Sequence, residues 1–288
     1  MRIALIGAAG QLGSDLQLQL RGNVVPLRHQ DLELGDDDSV PHVLAAIAPE
    51  VVINCAAYNF VDRAEDEPTA AWQINTLGPR RLAKFCAARD AVLVHFSTDY
   101  VFGLDQQRLK PYREVDLPGP LGAYGLSKLS GEFAVRALCE KHFVIRTCGL
   151  YGQAARRGAG KGNFIETMLR LGRERPQLSV VADQVCTPTS TADLASAVAS
   201  LIETTAYGLY HATNSGQMSW FELAREALRL EGLTTPIVPI TTAQFGAKAP
   251  RPNFSVLNSE QLTRVLGRPL PDWHDALTRY LKTGCEPH

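Results

Sequence analysis

The sequence predicts an α/β protein, a doubly wound parallel sheet with a smaller C-terminal lobe. Three observations predict it. Short apolar runs alternate with segments of helical periodicity through the first half of the chain, the pattern of strands joined by crossover helices. The first run passes directly into a turn with glycines at three-residue intervals. After Tyr151 the alternation stops, and a glycine-rich and then proline-broken region follows.

Taken in order, Ile3–Ile6 is the first strand. Its apolar run is too brief for a signal sequence and ends in a glycine turn, so it reads as buried strand. Val24–Leu27, Val51–Asn54, Val92–Phe96 and Phe143–Arg146 repeat the pattern, and each reads as a strand covered on both faces. Helical segments lie between them at Leu12–Leu20, Val40–Ile47, Ala70–Ala88 and Tyr124–Cys139. A further strand at Ser179–Val181 and a helix at Ala192–Glu203 are expected to return to the same sheet. Residues 1–151, with 179–213, then form one domain. Residues 152–178 and 214–288 form a lobe over the carboxyl edge of the sheet. Within the lobe, Ala155–Gly162 (ARRGAGKG) reads as a mobile basic loop, and Phe164–Arg173, Trp220–Leu230 and Asp272–Leu281 read as helices.

The chain has 288 residues, 29 Lys+Arg and 30 Asp+Glu, for a net charge of -1. This balance gives no reason to expect a nucleic-acid or membrane partner, and no apolar run is long enough to span a bilayer. The six cysteines are scattered without a C-x-x-C pair. That spacing argues for a reduced, cytoplasmic setting and against a metal site.

Gly7, Gly10 and Gly13 form G-x-x-G-x-x-G between the first strand and the first helix. The first glycine permits a tight turn and the second lets backbone approach a pyrophosphate. The third lets helix pack closely on strand, with the helix N-terminus facing the anion. A dinucleotide cofactor is therefore expected. At the end of the second strand stand Arg28 and His29, with no carboxylate before Asp31. An acid there would bind the ribose hydroxyl of NAD, and a base accommodates the extra phosphate of NADP. The cofactor expected is NADP(H), with NAD(H) as the alternative, and Glu33 and Leu34 are expected beside the adenine.

Tyr124 and Lys128 lie four residues apart in GAYGLSKLSGE, on one face of a helix. Reduction of a ketone needs an acid for the nascent alkoxide. A free tyrosine, with a pKa of roughly 10, exchanges its proton sluggishly at neutral pH, and a cation one turn away is expected to lower it. The same ammonium is placed to hold the nicotinamide ribose. A hydroxyl opposite the tyrosine should orient the carbonyl. Ser97 and Thr98 end the fourth apolar strand in VLVHFSTDYVFG, at the edge where open α/β sheets bind ligands; Thr98 is the favoured candidate.

With these motifs in chain order, the sequence resembles the extended short-chain reductases, and within them the dTDP-4-dehydrorhamnose reductase family, through nearly its whole length. GAAGQLG, with Gln11 and Leu12, is similar to the family's cofactor loop. NCAAYNFVDRAEDEP, which contains Ala56, Ala57 and Tyr58, resembles the segment passing under the cofactor, and Asn75 in QINTLG matches the asparagine of the next helix. STDYVF, YGLSK, GNF (Gly162–Phe164), the DQ and PT pairs at 183–184 and 188–189, GLYHATNSGQMSW and RPNFSVLN also match. The resemblance implies hydride transfer from NADPH to the C4 ketone of dTDP-4-dehydro-L-rhamnose. Tyr124 would be the acid, Lys128 its tuning cation and Thr98 the carbonyl's partner. It also implies a sugar pocket lined by Val61, Asp99, Tyr100, Gly149 and Asn163, with Arg251 on the diphosphate, in a monomer or homodimer.

Two departures stand out. Gly149, in RTCGLY, occupies the place of the family's tryptophan, and Cys186-Thr187 replaces a segment that more often contains glycine. Some family members bind magnesium at a dimer contact. Only Asp15 matches that acidic set, Ala192 falls where an acid is expected, and no metal is predicted. Two other readings share the fold. One is a non-catalytic cofactor-binding subunit, like the reductase-like subunit of methionine adenosyltransferase. The other is a nucleotide-sugar dehydratase or epimerase, against which Tyr100 stands where a dehydratase loop reads T-D-E.

Overall fold

The computed structural model describes residues 1–158 and 162–282. The centre of the expected basic loop, residues 159–161, and Cys285 lie outside the described residues. The first half runs β1 (Arg2–Ile6), α1 (Gln11–Gln19), β2 (Asn23–Leu27), α2 (Ser39–Ile47), β3 (Val51–Asn54), α3 (Val61–Asp66), α4 (Pro68–Trp72), α5 (Gly78–Ala88), β4 (Val92–Thr98), α6 (Ala123–Leu138) and β5 (His142–Thr147). It continues through α7 (Gln153–Arg156), α8 (Phe164–Glu174), β6 (Leu178–Val181), β7 (Val185–Cys186), α9 (Thr191–Leu201), β8 (Gly208–His211) and β9 (Met218–Ser219). The chain then forms α10 (Trp220–Leu230), β10 (Ile237–Ile240), α11 (Thr242–Phe245), α12 (Glu260–Leu266) and α13 (Trp273–Lys282).

Six strands form one parallel sheet in the order β2-β1-β3-β4-β5-β8. Two apolar layers cover it. Leu12 and Leu16 of α1 with Leu194 and Val198 of α9 fill one side. Leu44 of α2, Leu82 and Cys86 of α5 and Val135 of α6 fill the other. The doubly wound sheet expected from the alternation is what forms.

Three local expectations change. Val24–Leu27 is not covered on both faces: β2 is an edge strand in which Val24 and Val25 are half-buried, only Leu27 is buried, and Pro26 is exposed; an edge tolerates that proline because it needs no N–H there. The helix expected over Ala70–Ala88 divides into α4, a π-helical turn at Gln73–Leu77, and α5. Pro79 has no N–H to return to the carbonyl of Asn75, so the ladder opens. The N–H of Gly78 reaches back to Gln73 instead. The freed Asn75 carbonyl lies against α6, where a Cβ on Gly131 would come within 2.1 Å of it.

The third change concerns Ser179–Val181. This strand, observed as β6, does not return to the large sheet but pairs with β10 in a separate two-stranded sheet. The place beside β5 is taken by β8, whose GLYH carries too few apolar residues to announce a strand. β6 instead contributes Leu178 and Val180 to a third core with Ile165, Leu169, Leu223 and Leu277, seated beside the carboxyl ends of the large sheet. Among the described residues no helix is long and apolar enough to cross a membrane.

Candidate active site

Because β2 and β3 flank β1 on opposite sides, the chain reverses its winding there, and a crevice opens at the strands' carboxyl ends. The glycine loop lies on one wall. Gly7 adopts φ +77, open to glycine and strained for other residues. The Gly7 and Ala8 N–H groups donate to the Leu27 carbonyl at 2.9 and 3.2 Å. A Cβ on Gly13 would stand 2.3 Å from the Gly7 oxygen, so only glycine lets α1 pack this closely. α1 begins at Gln11 and points its free N–H groups at the crevice.

The crevice is a cleft of about 410 Å³. Gly10, Gln11, Leu12, Gly13, Ala56 and Ala57 line one end; Val61, Thr98, Asp99, Tyr100, Tyr124 and Lys128 line the other, with Gly149, Asn163 and Trp220 opposite. Two hydroxyls in its floor, Ser97 Oγ and Thr147 Oγ1, are buried without a hydrogen-bond partner. They end adjacent strands, where Thr98 pairs with Thr147 in register. Buried hydroxyls normally find partners, and these two suit the ribose and carboxamide of a nicotinamide. Together with the glycine cradle they fit a dinucleotide.

Other expected cofactor residues have different neighbours. Asn75 is buried and fully engaged: it accepts from the Tyr58 N–H and donates to the Tyr58 carbonyl, each at 2.9 Å, and to Ser127 Oγ at 3.0 Å. It clamps the segment after β3 to α6 and does not line the cleft. Tyr58 turns its hydroxyl to Glu67 at 2.8 Å. Arg28 is exposed just beyond β2. Glu33 accepts from the Gly35 N–H and pairs with His29 at 3.1 Å, while Leu34 is buried in the core.

α6 presents the central pair. A Cβ on Gly125 would come within 2.3 Å of the Tyr100 carbonyl, so glycine sets α6 directly against the end of β4. Tyr124 lies edge-on to Tyr100, with ring centroids 6.0 Å apart. Glu132, two turns beyond Tyr124, bonds the buried Arg146 of β5 at 2.7–3.2 Å and fixes the helix to the sheet.

The Tyr124 phenol is pushed up to about 12, mainly by burial and further by the negative field of Asp99, against a lowering hydrogen bond with Thr98. Thr98 Oγ1 donates to Asp99 Oδ1 at 3.1 Å, and Ser255 Oγ donates to Asp99 Oδ2 at 2.6 Å. Burial raises the Asp99 carboxyl despite these donors. Lys128 is buried, donates to the Phe96 carbonyl at 2.6 Å, and is brought down to about 8 by desolvation, with Glu132 and Cys55 opposing. The expected action of the ammonium on the phenol is not what this geometry contains. Lys128 turns toward the strand, and Thr98 is the group that lowers the tyrosine.

The pocket's far side also differs from expectation. Arg251 is held by Asp62 through two bonds of 2.8 and 3.1 Å and by the Ala249 carbonyl at 3.0 Å. Asn163 donates to Gln11 Oε1 at 2.9 Å and to the Tyr280 hydroxyl at 3.1 Å, joining the cofactor loop to the last helix. Gly149 has φ +50, with Pro188 and Trp220 against it. Cys186 is buried and hydrogen-bonded to Cys148, and Thr187 Oγ1 donates to the Gly216 carbonyl at 2.9 Å. Asp15, matched to a magnesium contact, is buried and accepts from the Thr191 hydroxyl. Among the described residues no cluster of His, Cys, Asp or Glu could hold a metal ion.

Sequence reasoning passed over Ser97 for Thr98 and missed Thr147, Trp220 and Ser255. Thr147 is findable as the residue ending a strand beside Thr98. Ser255 and Trp220 reach the site only through the lobe.

The family model described as the RmlD substrate binding domain matches residues 1–285. A dTDP-4-dehydrorhamnose reductase of Mycolicibacterium smegmatis is 41% identical over 96% of this chain and 84% of its own length. The crystal structure of a dTDP-4-dehydrorhamnose reductase from Clostridium acetobutylicum superposes with a TM-score of 0.93 at 39% identity, covering 99% of this chain and all of that one. The Bacillus anthracis enzyme of the same name, solved in complex with NADP, gives 0.91 at 39% identity over 98% and 99%. With the glycine cradle, the Thr98–Tyr124–Lys128 arrangement and a match from end to end, this chain belongs to the dTDP-4-dehydrorhamnose reductase family.

Proposed function

We propose that the protein reduces the C4 ketone of dTDP-4-dehydro-L-rhamnose with NADPH, giving dTDP-L-rhamnose. The observation that carries this reading is the convergence of Tyr124, Thr98 and Lys128 on the same cleft that the glycine cradle enters. NADPH, when bound, supplies the hydride. Gly10, Gly13 and the N-terminus of α1 would receive its pyrophosphate, Ser97 and Thr147 would serve its nicotinamide half, and Arg28, exposed just beyond β2, would take the extra phosphate of NADP. NAD(H) lacks that phosphate and would gain nothing from the arginine.

Tyr124 holds its proton through the neutral range, since its phenol sits at about 12. It gives that proton to the carbonyl oxygen as the hydride arrives at carbon. Thr98 bonds the tyrosine and is held in turn by Asp99, so its hydroxyl is fixed opposite the acid and steadies the oxygen. Lys128 remains cationic below about 8, and its ammonium would bind the ribose hydroxyls of the cofactor. Val61, Asp99 and Tyr100 border the sugar, Asn163 borders it from the lobe, and Arg251 offers its guanidinium to the diphosphate in exchange for Asp62. The five described cysteines are free thiols, which suits a reducing compartment, and we place the protein in the cytoplasm as a monomer or homodimer.

Tyr124→Phe tests the reading. General acid catalysis contributes about 10²–10⁴-fold, so turnover should fall by that factor while NADPH affinity, followed by fluorescence titration, stays unchanged. Loss of NADPH binding, or retention of full turnover, contradicts the role.

A further inference from the structure

Gly149 offers the sugar no side chain, yet the space beside it is not empty. A Cβ placed on Gly149 would meet Trp220 Cη2 at 3.0 Å and Pro188 Cα at 3.2 Å. The tip of an indole ring from the lobe therefore reaches across to the end of β5. Trp220 lines the same cleft as Thr98, Tyr124 and Asn163, and it is half-buried, so part of its ring faces the cavity. We infer that Trp220 is the aromatic wall on which the apolar face of the 6-deoxysugar packs, and that it determines which sugar the site accepts.

The ring is held for such a role. Trp220 is the first residue of α10, and Ser219 caps that helix reciprocally with Glu222: Ser219 Oγ accepts from the Glu222 N–H at 3.2 Å, and Glu222 Oε2 accepts from the Ser219 N–H at 2.8 Å. This arrangement satisfies two otherwise free donors of the first turn. One side of the indole packs on Phe164, with centroids 4.7 Å apart at 54°. A rigid aromatic surface costs little conformational entropy on binding, and it desolvates the C–H groups and methyl of a deoxysugar. A fully hydroxylated hexose presents more polar atoms to the same ring and binds less well. A side chain at position 149 would compete for this space, so the glycine and the tryptophan act together.

The inference rests on the reductase reading, and its test separates the two. Steady-state reduction of dTDP-4-dehydro-L-rhamnose by NADPH is measured for wild type, Trp220→Ala and Trp220→Phe. Titration with dTDP-L-rhamnose in the presence of NADP⁺ is followed by tryptophan fluorescence. Trp220→Ala should raise KM for the sugar at least tenfold, with kcat changed less and NADPH affinity within twofold of wild type. Trp220→Phe, which keeps an aromatic ring against Phe164, should recover most of the KM but lose the sugar-induced fluorescence change. An unaltered KM in Trp220→Ala, or a full fluorescence change in Trp220→Phe, overturns the wall alone. A wild-type protein that reduces no dTDP-4-ketosugar overturns the reductase reading and the wall with it.

Discussion

Replacing Lys128 by methionine should make the protein more stable and inactive. The lysine is only 3% exposed, and burial brings its ammonium from the ordinary 10.5 to about 8. Each pKa unit corresponds to about 1.4 kcal/mol, so holding the charged form in the fold costs roughly 3 kcal/mol. The sign follows from the two values. Above 10.5 the side chain is neutral in both folded and unfolded chains, and no penalty exists. Below about 8 it is charged in both, and the folded chain alone bears the cost, which is therefore complete at pH 7. Methionine keeps the length of the stem and removes the charge. It also removes the bond to the Phe96 carbonyl, a loss of about 1 kcal/mol. The net gain is roughly 2 kcal/mol, or about 3 °C in Tm for a chain of this size. Urea denaturation at pH 7 and pH 10 measures it, with the gap between variant and wild type narrowing at the higher pH. Steady-state turnover should be lost. A methionine variant less stable than wild type at pH 7, or a gap indifferent to pH, would refute the reasoning.

Other consequences can be measured directly. Reduction should be level at lower pH and slow as pH rises through about 8, where Lys128 gives up its proton, whereas a kcat that climbs across that interval contradicts the assignment. Gly13→Ala puts a Cβ 2.3 Å from the Gly7 oxygen, so the loop must shift and NADPH affinity should drop at least tenfold in a binding titration. An unchanged Kd would show that the cradle is not the pyrophosphate site. Asp99→Asn weakens the charge-assisted bonds from Thr98 and Ser255, worth about 1.5–3 kcal/mol each. It should cut kcat by roughly 10–100-fold without altering NADPH binding, and normal kcat would remove Asp99 from the positioning of Thr98.

Much of the protein is determined by short stretches of sequence. The glycine spacing, the alternation of strand and helix, the Tyr124–Lys128 interval and the Ser97-Thr98 strand end each depend on residues within a turn or two of one another. Backbone geometry converts such intervals into position without reference to the rest of the molecule. The glycine loop and the placing of Tyr124 and Lys128 on one helix face were legible for that reason. What tertiary structure decided is which distant groups meet them. Asn75 resembles a cofactor ligand in sequence but is consumed by Tyr58 and Ser127, because Pro79 opens the helix around it. Lys128 lies one turn from Tyr124, yet its ammonium donates to the Phe96 carbonyl of β4. β6 joined the lobe because β8 already occupied the sheet edge. Gly149, a deficit when read along the chain, is the space into which Trp220 reaches. Packing between elements far apart in sequence set each of these contacts, and no local periodicity encodes them.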